Sequence, residues 1–196
     1  KKETISGFNE YIQSLRGKRT GKMPFTLTRF NSNGVRTRHF DDINEVKELT
    51  GKDYLPEAAT PLLDAIGKTI RDVERELAEK KPNPAVLFII MTDGIENQSR
   101  EFSSGAVFSL VKEKEADGWQ FVYLGAKQDA YLMAGVIGIN KGNAMNYKVG
   151  NMRGVFTSLV GATANLQASA STGAVYQTGD FIKNYIGAEK AKELNK

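Results

Sequence analysis

An α/β fold, doubly wound around a mostly parallel sheet with one antiparallel hairpin at its edge, is what this sequence predicts. Three observations carry the prediction. Residues 85–91, AVLFIIM, form an unbroken apolar run closed by Thr92-Asp93-Gly94, the pattern of a strand covered on both faces and ended by a polar turn. Residues 119–124, WQFVYL, form a second strand-like run after a helical segment that stops at Gly118, and strands separated by helices imply parallel pairing. Finally, Phe25 and Leu27 alternate with Thr26 and Thr28, Asn31-Ser32-Asn33-Gly34 supplies a tight turn, and residues 35–40 return antiparallel.

Taken in order, residues 2–15 read as a helix, because Ile5, Phe8, Ile12 and Leu15 fall on one face. No capping residue precedes that helix, so further sequence upstream of Lys1 is expected. Gly17 and Gly21 mark a loop before the hairpin, and His39, the single histidine, sits in the hairpin with no acidic or serine partner nearby in sequence, which makes it structural. Residues 41–57 are mostly polar, with Ile43, Val46 and Leu49 spaced for one helical turn. Thr60-Pro61 then announces a long helix: a hydroxyl to cap the free amides, and a proline where no amide is needed. Leu62, Ile66, Ile70, Val73 and Leu77 form its buried stripe, and it ends before Pro82. Beyond the central strand, Ser103 or Ser104 caps a helix to about residue 117 that buries Val107, Leu110 and Val111. A short helix over 129–136 and an edge strand over 143–148 complete a first unit, residues 1–148. Residues 149–196 form a helical extension, led by an amphipathic helix over 151–171 with Met152, Val155, Phe156, Leu159 and Leu166 on one side. Its other face is nearly free of charge, which suits packing on more than one side and contact with a second copy of the chain. A further helical turn is expected around Phe181 and Tyr185, with a frayed end.

Composition narrows the function classes. The 196 residues are 40% hydrophobic and 26% charged, an ordinary globular balance for one domain with a modest extension. No apolar run reaches the roughly 18–20 residues of a membrane helix. With no cysteine, disulfides, thiolate metal sites and cysteine nucleophiles are excluded. Residues 1–40 carry nine Lys/Arg against Glu3 and Glu10, so the net charge of +4 is concentrated at the amino end. That stretch has neither the interleaved aromatics of a single-strand platform nor a helix-turn-helix or zinc-finger pattern, and it reads as a solvated basic edge, not a nucleic-acid surface.

In a parallel sheet the chemistry gathers at the carboxyl ends of the strands, which singles out Asp93. Two segments then support a resemblance. Residues 54–66, YLPEAATPLLDAI, and residues 89–97, IIMTDGIEN, in this order and spacing, resemble the von Willebrand factor A domain, in particular its small bacterial and phage-encoded stand-alone forms. The helix that includes TISGFN and the segment GWQFVYLGA fit the same picture, so the resemblance spans roughly residues 2–148.

The resemblance implies a Rossmann-like sheet carrying a metal-ion-dependent adhesion site at its carboxyl edge, with Thr60 and Asp93 as metal ligands and Glu57 and Asn97 on the partner-binding rim. A hydroxyl and a carboxylate suit a hard cation, Mg²⁺ or alternatively Mn²⁺ or Ca²⁺, that keeps positions open for an acidic group on a protein partner. The family's Asp-x-Ser-x-Ser motif follows a first, central strand, and this sequence starts at the helix after it. The metal is therefore expected only where that upstream motif is present, and the first strand from upstream residues or from another chain; without it two neighbouring strands would keep open edges. Ala58-Ala59 stands where glycine is usual in the family, which crowds the loop before Thr60.

The expected function is a non-enzymatic protein-interaction module. The alternative is a structural virion or assembly subunit that keeps the fold without a working metal site and associates through residues 151–171. An enzyme finds no support, since there is no P-loop, no G-x-S-x-G and no cluster of acids. A cytoplasmic or virion location is expected, with a targeting peptide left open.

Overall fold

The computed structural model describes residues 1–55, 59–80, 84–126 and 130–171. It shows a mixed α/β architecture with two separate sheets, an antiparallel pair and a three-stranded parallel sheet. Helix α1 (Lys2–Lys18) leads to the hairpin β1 (Phe25–Asn31) and β2 (Gly34–Phe40), paired in full register from Phe25 opposite Phe40 to Asn31 opposite Gly34. After α2 (Leu62–Leu77) come β3 (Leu87–Thr92), α3 (Ser104–Ala116), β4 (Gln120–Gly125), α4 (Ala130–Val136), β5 (Ala144–Asn146) and α5 (Met152–Ser171). β3, β4 and β5 lie in that order and all run parallel. The expected turn at 43–49 is a single 3-10 turn, Ile43–Glu45, whose Ile43 is fully buried. The helical turn expected around Phe181 lies outside the described residues.

Strand β4 explains why the parallel sheet is the centre of the molecule. All six of its residues are buried, and their side chains alternate between two cores. Val122 and Leu124 join Phe8, Ile12 and Leu15 of α1 and Val155 and Leu159 of α5. Phe121 and Tyr123 join Leu62, Ile66 and Ile70 of α2 and Val107 and Val111 of α3. Helices therefore cover both faces, and each fully buried Leu or Ile on them contributes about 1.5–3 kcal/mol of transfer free energy.

Helix α5 is part of the first core. Its apolar stripe, Met152, Val155, Phe156 and Leu159, packs on α1, Tyr11 and Phe156 pack ring to ring at 5.6 Å, and the Tyr11 hydroxyl bonds Thr163 at 2.9 Å. Burial pushes the Tyr11 phenol up to about 12. Among the described residues no helix is long and apolar enough to cross a membrane.

Two sequence expectations change. The helix expected to begin at Pro61 has Pro61 as its N-cap residue and no side-chain cap from it; Thr60 instead offers its carbonyl to the Leu62 amide at 2.9 Å. The run at 85–91, expected to be covered on both faces, is buried in β3 only at Ile90 and Thr92. Among the described residues β3 pairs with β4 on one side and with no strand on the other, which leaves that edge less covered.

Candidate functional site at the carboxyl rim

The rim is built where β3 stops. The Thr92 hydroxyl donates to the Gly94 carbonyl at 3.1 Å and accepts from the Gly94 amide at 3.2 Å, closing a tight loop that leaves Asp93 exposed between them. Gly94 is required by contact: a Cβ there would run into the Thr60 hydroxyl. Thr60 thus lies directly against the Asp93-Gly94 turn, with the Asp93 Cα one peptide step, about 3.8 Å, from that of Gly94.

What holds this turn is a latch between residues 96–102 and the start of α2. A helix leaves its first amides without partners and favours negative charge at that end. Here the partners arrive from the loop. Glu96 Oε2 accepts the Leu63 amide at 2.9 Å, and the Ser99 hydroxyl accepts the Asp64 amide at 3.0 Å while donating to Glu96 at 2.7 Å. The other Glu96 oxygen accepts the amides of Gln98 and Ser99. In return Asp64, only 6% exposed, accepts the amides of Arg100, Glu101 and Phe102, each at 2.9 Å. Burial alone would raise the Asp64 pKa, yet those three amides, with Lys68 nearby, hold it below the usual carboxylate value. Glu96 behaves alike: burial pushes upward, and the Ser99 hydroxyl and the surrounding amides bring it below normal. Phe102 closes the latch on Gly67, where a Cβ would collide with its ring.

The cleft side of the rim is phenolic. Tyr54 bonds Thr4 of α1, and its pKa is raised first by burial and then by the Asp93 charge. Tyr147 is raised by burial and again by Asp93, and its hydroxyl points to the Thr92 carbonyl at 3.5 Å. Ile95, two residues after Asp93, is a large apolar side chain left 61% exposed, and Leu55, next to Tyr54, is 50% exposed.

Of the residues singled out by sequence, Thr60 and Asp93 come together on one rim. Asn97 joins them as a brace: its Oδ1 accepts the Thr60 amide at 2.8 Å, and its own amide donates to the Thr60 carbonyl at 3.3 Å. Glu57 lies outside the described residues. Sequence reasoning missed Asp64, Glu96 and Ser99; the available signal was an aspartate on the apolar side of a helix's first turn, where an acid must find donors. As a metal site the described residues fall short. A Thr60 hydroxyl and an Asp93 carboxylate are two oxygens, while Mg²⁺ takes six, and among the described residues no three His, Cys, Asp or Glu side chains gather to hold an ion.

The architecture and rim define a mixed α/β protein with its distinctive groups at the carboxyl end of a parallel sheet. No family model and no curated protein matches the chain. Among solved structures it is similar to proximal thread matrix protein 1 from the mussel byssus, with a TM-score of 0.59 and 16% identity over 84% of this chain. The chain spans 43% of that protein's length, and at this identity the likeness concerns the fold alone.

Proposed function

We propose that the chain is a non-enzymatic protein-interaction module of the von Willebrand factor A type, its sheet doubly wound, which docks a partner at the rim formed by Thr60, Asp93, Ile95 and Asn97. The observation that carries this reading is the latch. Asp64, Glu96 and Ser99 satisfy one another and the local amides, so their polar groups are spent on fixing the loop. Asp93 and Ile95 are left projecting from a rigid edge. Preorganisation of this kind lowers the ordering cost of association. A partner that fits presents an apolar side chain to Ile95 and Leu55 beside a polar or acidic group near Thr60 and Asp93.

Mg²⁺, or Mn²⁺ or Ca²⁺, bridging to a partner carboxylate belongs to this proposal only where donors beyond the described residues complete its shell; Thr60 and Asp93 would be two of its oxygens. The test is an amide NMR titration with Mn²⁺, with and without an acetylated Gly-Glu-Gly peptide as the acidic probe. Broadening centred on Thr60, Gly94 and Asn97, and removed by Asp93→Ala, supports the reading. A rim untouched by both ion and peptide overturns it.

A further inference from the structure

The outer edge of the hairpin is a second surface with unspent bonding groups. β2 pairs with β1 on one side and, among the described residues, with no strand on the other. The two-residue turn makes Asn31 and Gly34 a hydrogen-bonded pair. Alternation from there turns the amides and carbonyls of Arg36 and Arg38 inward to β1, and those of Val35, Thr37 and His39 outward. The side chains agree. Thr28 meets Thr37 at 3.0 Å and Thr26 meets His39 at 2.9 Å, the close approach of pairs that share no backbone bond. Among the described residues none of the three outward residues makes a backbone bond beyond the hairpin.

Arginines line one face of that edge. Arg36 and Arg38 lie two apart on β2 and both are exposed. Arg29 of β1 stands directly opposite Arg36, so the three share a face. Like charges set opposite each other on a sheet repel. Asp53 answers Arg29, its carboxylate 3.7 Å from the guanidinium, and Asp42 is taken by Arg19. Among the described residues no carboxylate pairs with Arg36 or Arg38. Arg38 instead rests its guanidinium 4.9 Å over the Phe40 ring, which holds it along the strand.

We propose that β2 is the docking edge for an extended acidic segment of a partner polypeptide, which adds as an antiparallel strand and sets carboxylates at alternate positions against Arg36 and Arg38. Toward a strand on this side the two arginines fall in pairs without backbone bonds, whose Cα atoms approach to about 4.5 Å. A Glu or Asp opposite each therefore reaches its guanidinium. The outward groups of Val35, Thr37 and His39 supply the main-chain bonds, and half-buried Val35 and Thr37 on the other face suit β-branched residues between the acids. Charge chooses the occupant. A second copy paired edge to edge would set arginine against arginine, the repulsion by which charged edge strands keep copies apart. For an acidic strand the same arginines attract, so one device rejects the wrong partner and selects the right one. Nucleic-acid phosphates answer the guanidinium charge but offer no ladder to the main-chain row. The basic edge read from the sequence thus gains a selective use, and this inference does not rest on docking at the rim.

Amide NMR of residues 1–196 tests it, with the capped peptide Val-Glu-Val-Glu-Val as probe and Val-Lys-Val-Lys-Val as its charge-reversed control. The acidic peptide should shift the Val35, Thr37 and His39 amide signals and slow their hydrogen exchange about tenfold or more at saturation; the control should leave them unchanged. Arg36→Glu with Arg38→Glu, both at exposed positions, should keep the fold, lose the acidic peptide and take up the lysine one. No response of β2 to the acidic peptide overturns the proposal, and so does an undiminished response in the charge-reversed variant. Two other outcomes also overturn it. Short oligothymidylate shifting the arginine side-chain signals, while the acidic peptide leaves the outward amides unprotected, would mark a general polyanion surface. Protection that rises with protein concentration in the absence of peptide would mark a second copy as the occupant.

Discussion

Glu96 Oε2 accepts the backbone amide of Leu63 at 2.9 Å, so the first turn of α2 is capped by a side chain 33 residues away. Asp64 answers from the helix by accepting three amides of the loop that carries Glu96. Loop and helix end thus satisfy each other, and the rim is rigid because neither can leave without stranding the other's polar groups.

Removing one half of that exchange should be costly. Asp64→Ala leaves the amides of Arg100, Glu101 and Phe102 without their acceptor and should destabilise the fold by roughly 3 kcal/mol. Denaturant unfolding measures it. Asp93→Ala, at an exposed position one strand-end away, should stay within about 0.5 kcal/mol of the parent.

The same carboxylates set the acid limit. The folded-state pKa values of Asp64 and Glu96 are lowered, so their stabilisation is complete above the unfolded values of about 3.9 and 4.3 and is lost as pH falls through the folded ones. Melting temperature followed from pH 7 downward should owe no loss to these groups until about pH 4–5 and then drop steeply. Asp64→Asn with Glu96→Gln should start lower and flatten the acid limb.

Two glycines should respond with opposite signs. Gly94→Ala drives a methyl group into the Thr60 hydroxyl and should cost about 1–3 kcal/mol while shifting the Thr60 resonances. Gly105→Ala, in the first turn of α3 with no atom in its way, should stabilise by about 0.5–1 kcal/mol. Thermal unfolding of the two variants checks the pair.

Much of the local structure was legible because it is local. The Asn31–Gly34 turn closes the hairpin where its residues require, Ser103 caps α3 by accepting the Ala106 amide, and the 3.6-residue stripes of α1, α2 and α5 face the cores. That Thr60 lies against the Asp93-Gly94 turn was expected only through the family resemblance of the two segments around them. What sequence hid was long-range. Thr60-Pro61 has the composition of a helix start, but the amides it would cap are taken by Glu96 and Ser99, a partnership no nearby spacing encodes. The run at 85–91 has the composition of a fully covered strand, and its partial exposure goes with an edge that no strand among the described residues pairs, which a single segment cannot reveal.

The central claim is that Thr60 and Asp93 act as one site. A double-mutant cycle with Thr60→Val and Asp93→Asn, read as affinity for the Gly-Glu-Gly probe, tests it most directly. The account predicts strong coupling, the second substitution adding little once the first is made. Losses that simply add, or no loss from either, would contradict it.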